Sequence, residues 1–275
     1  MKVVGLNPLR YGDLYMATVG VRCFKRIYPN AHFTFVINAD YRECAPLFLD
    51  HPDIDRIHIL DRDKDGFNEV DWDWIRIQNF DHIFDPMQDH DRPDWYLFRH
   101  QALEAAYMHR IPIDGDDGKI VLNKWFKETD GLKNYVALAP FPAWYQGSAN
   151  RKSFTMEQAE GIVKYLKVKG YNVLQVGGPN EPQLSNVLKI NSDYFNSVKN
   201  ILGCRAFIGS DSGLTWCLSG YDFPVLGLYP SDMHGGPNYV KNIQPINPNA
   251  LYLDANTMKD IKIEDIYKAI DKLLN

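Results

Sequence analysis

"IGSDSGLTWCLSG", residues 208–220, decides how the chain is read. The apolar run "CRAFIG" breaks at Ser210, and an apolar run, "LTWCLSG", resumes after Gly213. The first run reads as a short buried strand and the second as the opening turns of a helix. A polar, glycine-bearing turn between strand and helix is where an open α/β sheet holds its ligand. Such a turn, here Asp211, Ser212, Gly213, Leu214 and Thr215, offers free backbone N–H groups and the positive end of a helix dipole, which suit an anion. The hydroxyls of Ser212 and Thr215 add donors, and a diphosphate fits. The competing reading is a plain helix cap supplied by Asp211 or Ser212. "GSDSG" has its serines at the wrong places for a hydrolase nucleophile elbow.

The same rhythm extends in both directions. Upstream in the second half, "YVALAP" reads as strand, "TMEQAEGIVKYLKVKG" as helix and "YNVLQVGG" as strand. Ser153 or Thr155 can cap that helix, and Gly170 stops it. "NSVKNILG" reads as a short helix, "PVLGLYP" as the last clear strand and "KIEDIYKAIDKLL" as the closing helix. In the first half, "KVVGLN", "HFTFVIN", "IDRIHIL" and "DHIFDP" read as strands, with "DLYMATVGVRCFKRIYP" and "YRECAPLFL" as helices between them. The polar stretch from Asp61 to Asp94 has no clear period, and "WYLFRHQALEAAYMHR" returns to a helical pattern. Around residues 124–134 the composition changes, just after one short edge-strand candidate, "KIVL". Alternating strands and helices predict parallel sheets with helices on both faces. The expectation is two α/β domains, 1–130 and 131–275, facing one another across a cleft.

Composition bounds the chemistry. The chain has 275 residues, 24% of them charged, and a net charge of −5. No basic tract advertises a phosphate-backbone footprint, which disfavours a nucleic-acid binder. Cys23, Cys44, Cys204 and Cys217 lack CxxC spacing and stand in apolar contexts, so they read as free thiols of a reducing compartment. No His or Cys cluster has ligand spacing, and no metal site is expected. "MKVVGLNPLRYGD" lacks the apolar core of a signal peptide, and no run approaches the roughly 20 apolar residues of a membrane span. A cytoplasmic protein is expected, with any membrane contact peripheral.

The remaining polar signals also fall at the ends of strands. In "NPLRYGDLYMA", residues 7–17, Gly12 and Asp13 open a helix. Asp13 is either a cap that satisfies amides and the dipole or a carboxylate that accepts a proton from a bound hydroxyl. In "GGPNEP", residues 177–182, Gly177 and Gly178 let a ligand approach the backbone, and Glu181 suits ribose hydroxyls. The spacing is not GxGxxG, so a dinucleotide fingerprint is not present. In "FPAWYQGSANRKSF", residues 141–154, Arg151 and Lys152 precede a helix and suit phosphate charge. His234 lies in the strand-end loop "YPSDMHGGP", and Asp85, Asp89, His90, Asp91 and Asp94 fill an acidic stretch whose spacing fits no EF-hand.

Together, "GDLYMATVGVRCFKRIYPNA", "GGPNEP" and "FIGSDSGLTWCLSGYDFPVLGLYPSD" resemble glycosyltransferase family 9, the ADP-heptose:lipopolysaccharide heptosyltransferase-like group. The resemblance covers most of the chain, and its last stretch is the most specific part. It implies the GT-B architecture of two facing Rossmann-like domains, the first binding the acceptor and the second the nucleotide sugar. It implies inverting transfer from a nucleotide-diphosphate sugar with no metal and no further cofactor. By motif, Asp13 is the implied general base and Lys152 the group that stabilises the leaving diphosphate. Ser212, Gly213 and Thr215 hold that diphosphate, and Glu181 binds the nucleoside. Trp216 stands where the family usually has His, so the resemblance does not extend to the donor sugar. A bacterial envelope saccharide is the implied acceptor. Three rivals stay open: an enzyme glycosylating hydroxymethylated pyrimidines in DNA, a non-catalytic nucleotide- or sugar-binding protein, and a hydrolase or epimerase on a similar two-domain fold.

Overall fold

The structure is a computed structural model, and it describes residues 1–7, 10–60, 69–84, 111–112, 118–142, 151–234 and 237–275. The chain divides into two compact units, Met1–Trp125 and Phe126–Asn275.

The first unit is built on four parallel strands: β1 (Lys2–Asn7), β2 (His32–Ile37), β3 (Arg56–Ile59) and β4 (His82–Phe84), in the order β3-β2-β1-β4. α1 (Tyr11–Ile27) follows β1 and buries an almost unbroken run from Leu14 to Val21. Asp13 in its first turn and Lys25 and Arg26 in its last match the helix dipole. A 3-10 helix (Ala39–Phe48) follows β2, and α2 (Glu69–Ile77) precedes β4. Trp74 of α2 stacks on His58 of β3 at 3.7 Å and closes a small cluster of Val4, Val36, Leu60 and Ile75. Two further sets of rings pack together, Tyr15, Phe48 and Phe35 in one and Phe24, Phe33 and Phe84 in the other. Gly5 permits this, because a Cβ there would meet Phe33 Cε1 at 2.5 Å.

"KIVL" is not the edge strand that its alternation suggests. Ile120 and Leu122 are buried and Val121 is exposed, but residues 118–125 join neither sheet. Side chains hold the segment instead. Arg22 Nη1 donates to Lys119 O (2.7 Å), Asn123 Nδ2 to Asp50 O (2.6 Å) and Trp125 Nε1 to Pro46 O (2.8 Å).

His51 belongs to the same set of contacts. It bonds the Val121 backbone, and its Nδ1 accepts the Asp53 N–H at 3.1 Å. Burial, assisted by the Arg22 charge, lowers its pKa from 6.5 to about 4. The folded state therefore keeps a neutral imidazole where the unfolded chain takes up a proton. Stability is full above pH 6.5 and falls as the pH drops towards 4, by about 3 kcal/mol. Urea unfolding at pH 7 and pH 4 should show this loss in the wild type and much less of it in His51→Gln. Equal losses in the two proteins would contradict it.

The second unit carries six parallel strands: β5 (Tyr135–Ala139), β6 (Asn172–Val176), β7 (Leu188–Ile190), β8 (Ala206–Ser210), β9 (Val225–Pro230) and β10 (Ala250–Ala255). Their order is β7-β6-β5-β8-β9-β10, which is the doubly wound 3-2-1-4-5-6 arrangement. β8 and β9 are buried throughout, as strands covered on both faces must be. Alternate residues separate into two cores. Val136, Leu138, Ile208, Leu226 and Leu228 pack on α3 (Met156–Val168) and α7 (Ile263–Leu274). Ala137, Phe207 and Val225 face the other way, with Ile201 of α4 (Tyr194–Leu202) and Leu218 of α5 (Gly213–Ser219).

Thr155 is the cap of α3, not Ser153. Its Oγ1 accepts the Gln158 N–H at 3.1 Å, and Gln158 Oε1 accepts the Thr155 N–H at 2.9 Å. Gly170, at φ +86°, follows the helix's C-cap residue. "PVLGLYP" is not the last strand. α6 (Pro237–Ile243) and β10 follow it, in a stretch where the sequence carries no strong period. β7 is likewise a short edge strand without a clear signal.

Candidate functional site

The order of the second sheet singles out one place. β5 and β8 are neighbours, yet the chain leaves β5 towards β6 on one side and arrives at β8 for the other. The loops at the carboxyl ends of such a pair diverge and leave a crevice, where doubly wound sheets bind ligands. Here those loops bring together residues 59 apart in sequence.

After β5, Phe154 N–H donates to Pro140 O at 2.8 Å and returns the chain to the strand end. This places Lys152 beside the turn that follows β8, and Lys152 Nζ lies 2.5 Å from Asp211 Oδ2. The Lys152 side chain is 26% exposed and that of Asp211 11% exposed. A half-buried ammonium at a strand-end crevice, held by a nearly buried carboxylate, is a preorganised positive charge. Arg151 next to it is exposed.

The turn itself is internally braced. Ser212 is the N-cap residue of α5, in an extended conformation, and its side chain makes no capping bond. Its Oγ lies 3.4 Å from Thr215 Oγ1. Thr215 is fully buried and donates its own proton to Ser210 O at 2.6 Å. That hydroxyl secures the turn. Gly213 and Leu214 form the first turn of α5 and are half-buried. Trp216 is buried within the helix.

Gly177 and Gly178 follow β6 at the same end of the sheet. The Gly178 N–H donates to Glu181 Oε1 at 2.9 Å. A Cβ at Gly177 would collide with the Glu181 carboxylate, so the glycine makes room for a side chain of its own turn. Burial raises the pKa of Glu181, against the lowering effects of the Gly178 N–H and the charge of Lys189.

In the first unit, Asp13 is the third residue of α1, just beyond the carboxyl end of β1. β1 lies between β2 and β4, the corresponding divergence point of that sheet. Asp13 Oδ2 accepts the Arg10 N–H at 3.1 Å, which fixes the carboxylate without occupying its other oxygen in that bond. Gly12 precedes it in the same turn and is half-buried.

Three hydroxyls to which the sequence reading assigned no ligand role lie at the same end of the second sheet. Ser153 precedes α3, Ser210 ends β8, and Tyr229 is the penultimate residue of β9. All are buried, and their oxygens have no hydrogen-bond partner among the described residues. Tyr229 carried the one legible signal, a phenol at the carboxyl end of an otherwise apolar strand.

Pro8, residues 143–150, Gly235 and Gly236, the helical pattern at 95–110 and the acidic stretch with Asp85, Asp89, His90, Asp91 and Asp94 lie outside the described residues. His234 ends a short 3-10 turn after β9. Among the described residues no group of three or more His, Cys, Asp or Glu is placed to hold a metal ion, and no helix is long and apolar enough to cross a membrane. All four cysteines are buried, and none is joined in a disulfide.

No family model matches the chain, and no curated protein sequence matches it. Solved structures do. The glycosyl transferase family 9 protein of Veillonella parvula DSM 2008 superposes with a TM-score of 0.74 at 16% identity, over 99% of this chain and 96% of that one. E. coli ADP-heptose lps heptosyltransferase II gives 0.74 at 15% identity, over 100% and 98%. TibC, a dodecameric iron-containing heptosyltransferase solved with ADP-D-beta-D-heptose, gives 0.69 at 12% identity, over 99% and 76%. At these identities the likeness is one of fold, and it runs the length of the chain.

Proposed function

We propose that the chain is a glycosyltransferase of the family 9 type. It moves a sugar from a nucleotide-diphosphate donor to a hydroxyl of an acceptor, with inversion and without a divalent ion. The observation that carries this reading is the Lys152–Asp211 pair at the divergence point of β5 and β8, in a chain that shares its fold with heptosyltransferases from end to end.

In the proposed reaction the acceptor O–H gives its proton to Asp13, and the oxygen attacks the anomeric carbon. The bond from that carbon to the diphosphate oxygen breaks, and its electrons leave with the diphosphate. Lys152 neutralises the charge that develops there, and the amides of Ser212, Gly213 and Leu214 add donors. Gly177, Gly178 and Glu181 border the nucleoside end, Arg151 adds a solvated charge beside Lys152, and Gly12 leaves space beside Asp13. The acceptor in this reading is a bacterial envelope saccharide, and the setting is the cytoplasm, peripheral to the inner membrane. The first unit takes the acceptor and the second the donor.

The test is a thermal-shift series with nucleoside diphosphates and their sugars, followed by turnover with and without EDTA. A ligand that binds only the folded chain stabilises it by about 2.7 kcal/mol at 100 times its Kd, a shift of several degrees. One nucleotide series should raise Tm, and EDTA should leave transfer unchanged. Failure of every nucleotide to shift Tm overturns the proposal. Stabilisation without transfer or hydrolysis would make the chain a binding protein.

A further inference from the structure

We propose that β10, the outer strand of the second sheet, pairs with β10 of a second copy of this chain, antiparallel about a twofold axis at Tyr252. The two sheets then run on as one. This inference is independent of the reading of Lys152 and Asp13.

β10 ends the sheet order and has β9 as its one neighbour among the described strands. The direction of its remaining backbone groups follows from that ladder. Ala250 pairs with Val225, and the Val225 N–H donates to Asn249 O at 3.4 Å. In a parallel ladder only alternate residues of a strand bond a given neighbour. Leu251, Leu253 and Ala255 therefore bond β9, and the N–H and C=O groups of Tyr252 and Asp254 point away from it. The Ala250 carbonyl points the same way, while the Ala250 N–H is used by Asn247 O at 3.2 Å. An open row of this kind is a template for another strand.

The other sheet edges are blunted. β7 closes the far end of this sheet with three residues, one of them Lys189. In the first sheet β4 has three residues, and β3 has four and begins with Arg56. Short strands and basic side chains discourage pairing. β10 has six residues and no lysine, arginine or proline. It is also held in place. Tyr252 packs against Tyr229, Val240 and Ile243 on one face and donates its hydroxyl to Pro245 O at 2.6 Å. Leu251 and Leu253 pack on the large core of the other face yet stay half-exposed.

A second copy is the occupant because the strand complements itself in one register. With Tyr252 at the axis, it exchanges both bonds with the partner's Tyr252. The Asp254 N–H donates to the partner's Ala250 carbonyl, and the same bond is repeated in reverse. Leu251 then stands opposite the partner's Leu253 at a non-hydrogen-bonded position, where facing side chains approach closest. Asp254 faces Ala250. A shift that set Asp254 opposite itself would place like charges side by side.

The experiment is sedimentation equilibrium of the full chain over a range of concentrations. A single strand pair is a small interface, so association should be reversible, and the mass should rise from that of one chain towards that of two. Asp254→Pro removes an outward N–H that the β9 ladder does not use, a position where an edge strand accepts proline. Leu251→Lys keeps the backbone and sets a charge against the partner's Leu253. Each variant should keep the mass of one chain at every concentration, with Tm unchanged. Where proline lowers Tm, Leu251→Lys decides. Mixing Leu251→Cys with Leu253→Cys chains under oxidising conditions should give a covalent dimer, since the native cysteines are buried and none is joined in a disulfide. A wild type with the mass of one chain throughout overturns the proposal, as does a dimer that Leu251→Lys leaves intact. Failure of the mixed cysteine chains to join, in a wild type that associates, overturns the register and the proposal with it.

Discussion

Replacing Asp13 with asparagine is expected to lower kcat for sugar transfer by about 10²–10⁴-fold, while affinity for the nucleoside diphosphate stays within about twofold. The asparagine variant is more informative than alanine because Asp13 has two jobs. Its Oδ2 accepts the Arg10 N–H at the start of α1, and losing that bond would cost about 0.5–2 kcal/mol. The amide oxygen of asparagine keeps the bond and the helix start, and it loses only the basicity. Steady-state transfer and an independent diphosphate titration separate the two effects. Wild-type turnover in Asp13→Asn would remove this residue as the base.

Lys152→Ala is expected to reduce diphosphate affinity and kcat/KM together, the latter by about 10²–10³-fold, the scale for losing one preorganised donor to a developing charge. The same change takes the ammonium from Asp211, so the unfolding free energy should also fall, by about 1–3 kcal/mol. Arg151→Ala is the internal control. Arg151 is adjacent in sequence but exposed, and its loss should change affinity by no more than about threefold, consistent with a solvated surface charge. If Arg151 mattered as much as Lys152, the pairing with Asp211 would not be what selects the binding cation. Unchanged diphosphate affinity in Lys152→Ala would contradict its role outright.

Much of the architecture was legible because it is local. Eight of the strands and most of the helices announce themselves through apolar runs and helical periods. β8 and β9 are wholly buried, and their continuous apolar character pointed to sheets covered on both faces. "KIVL" misled for a physical reason. Alternation reports which side chains face the interior, and Ile120 and Leu122 do face it. It does not report whether the backbone finds a ladder. Here Arg22 and His51 bond that backbone instead. β7 and β10 were missed because both are edge strands: β7 has three residues, and β10 is half-exposed along its length, so neither shows a clear period.

The site divides in the same way. That Asp13, Lys152, Gly177, Glu181 and Ser212 stand at strand ends could be read from the chain one turn at a time. Their partners could not. The Gly177–Gly178 pair reads as space for a ligand, and in the fold the Glu181 side chain takes part of that space. Thr215 reads as a donor, and in the fold its proton goes to Ser210 O.

By itself the sequence determined that the chain alternates strand with helix, that a helix starts at Ser153 or Thr155 and stops at Gly170, and which turns carry polar groups. Each of these is governed by interactions within a few residues. Only the tertiary structure decided that β5 lies beside β8, that Lys152 therefore meets Asp211 across 59 residues, and that the Tyr229 hydroxyl is buried without a hydrogen-bond partner among the described residues. Lateral strand order follows from how distant helices cover the two faces of a sheet, and no local pattern of side chains encodes it.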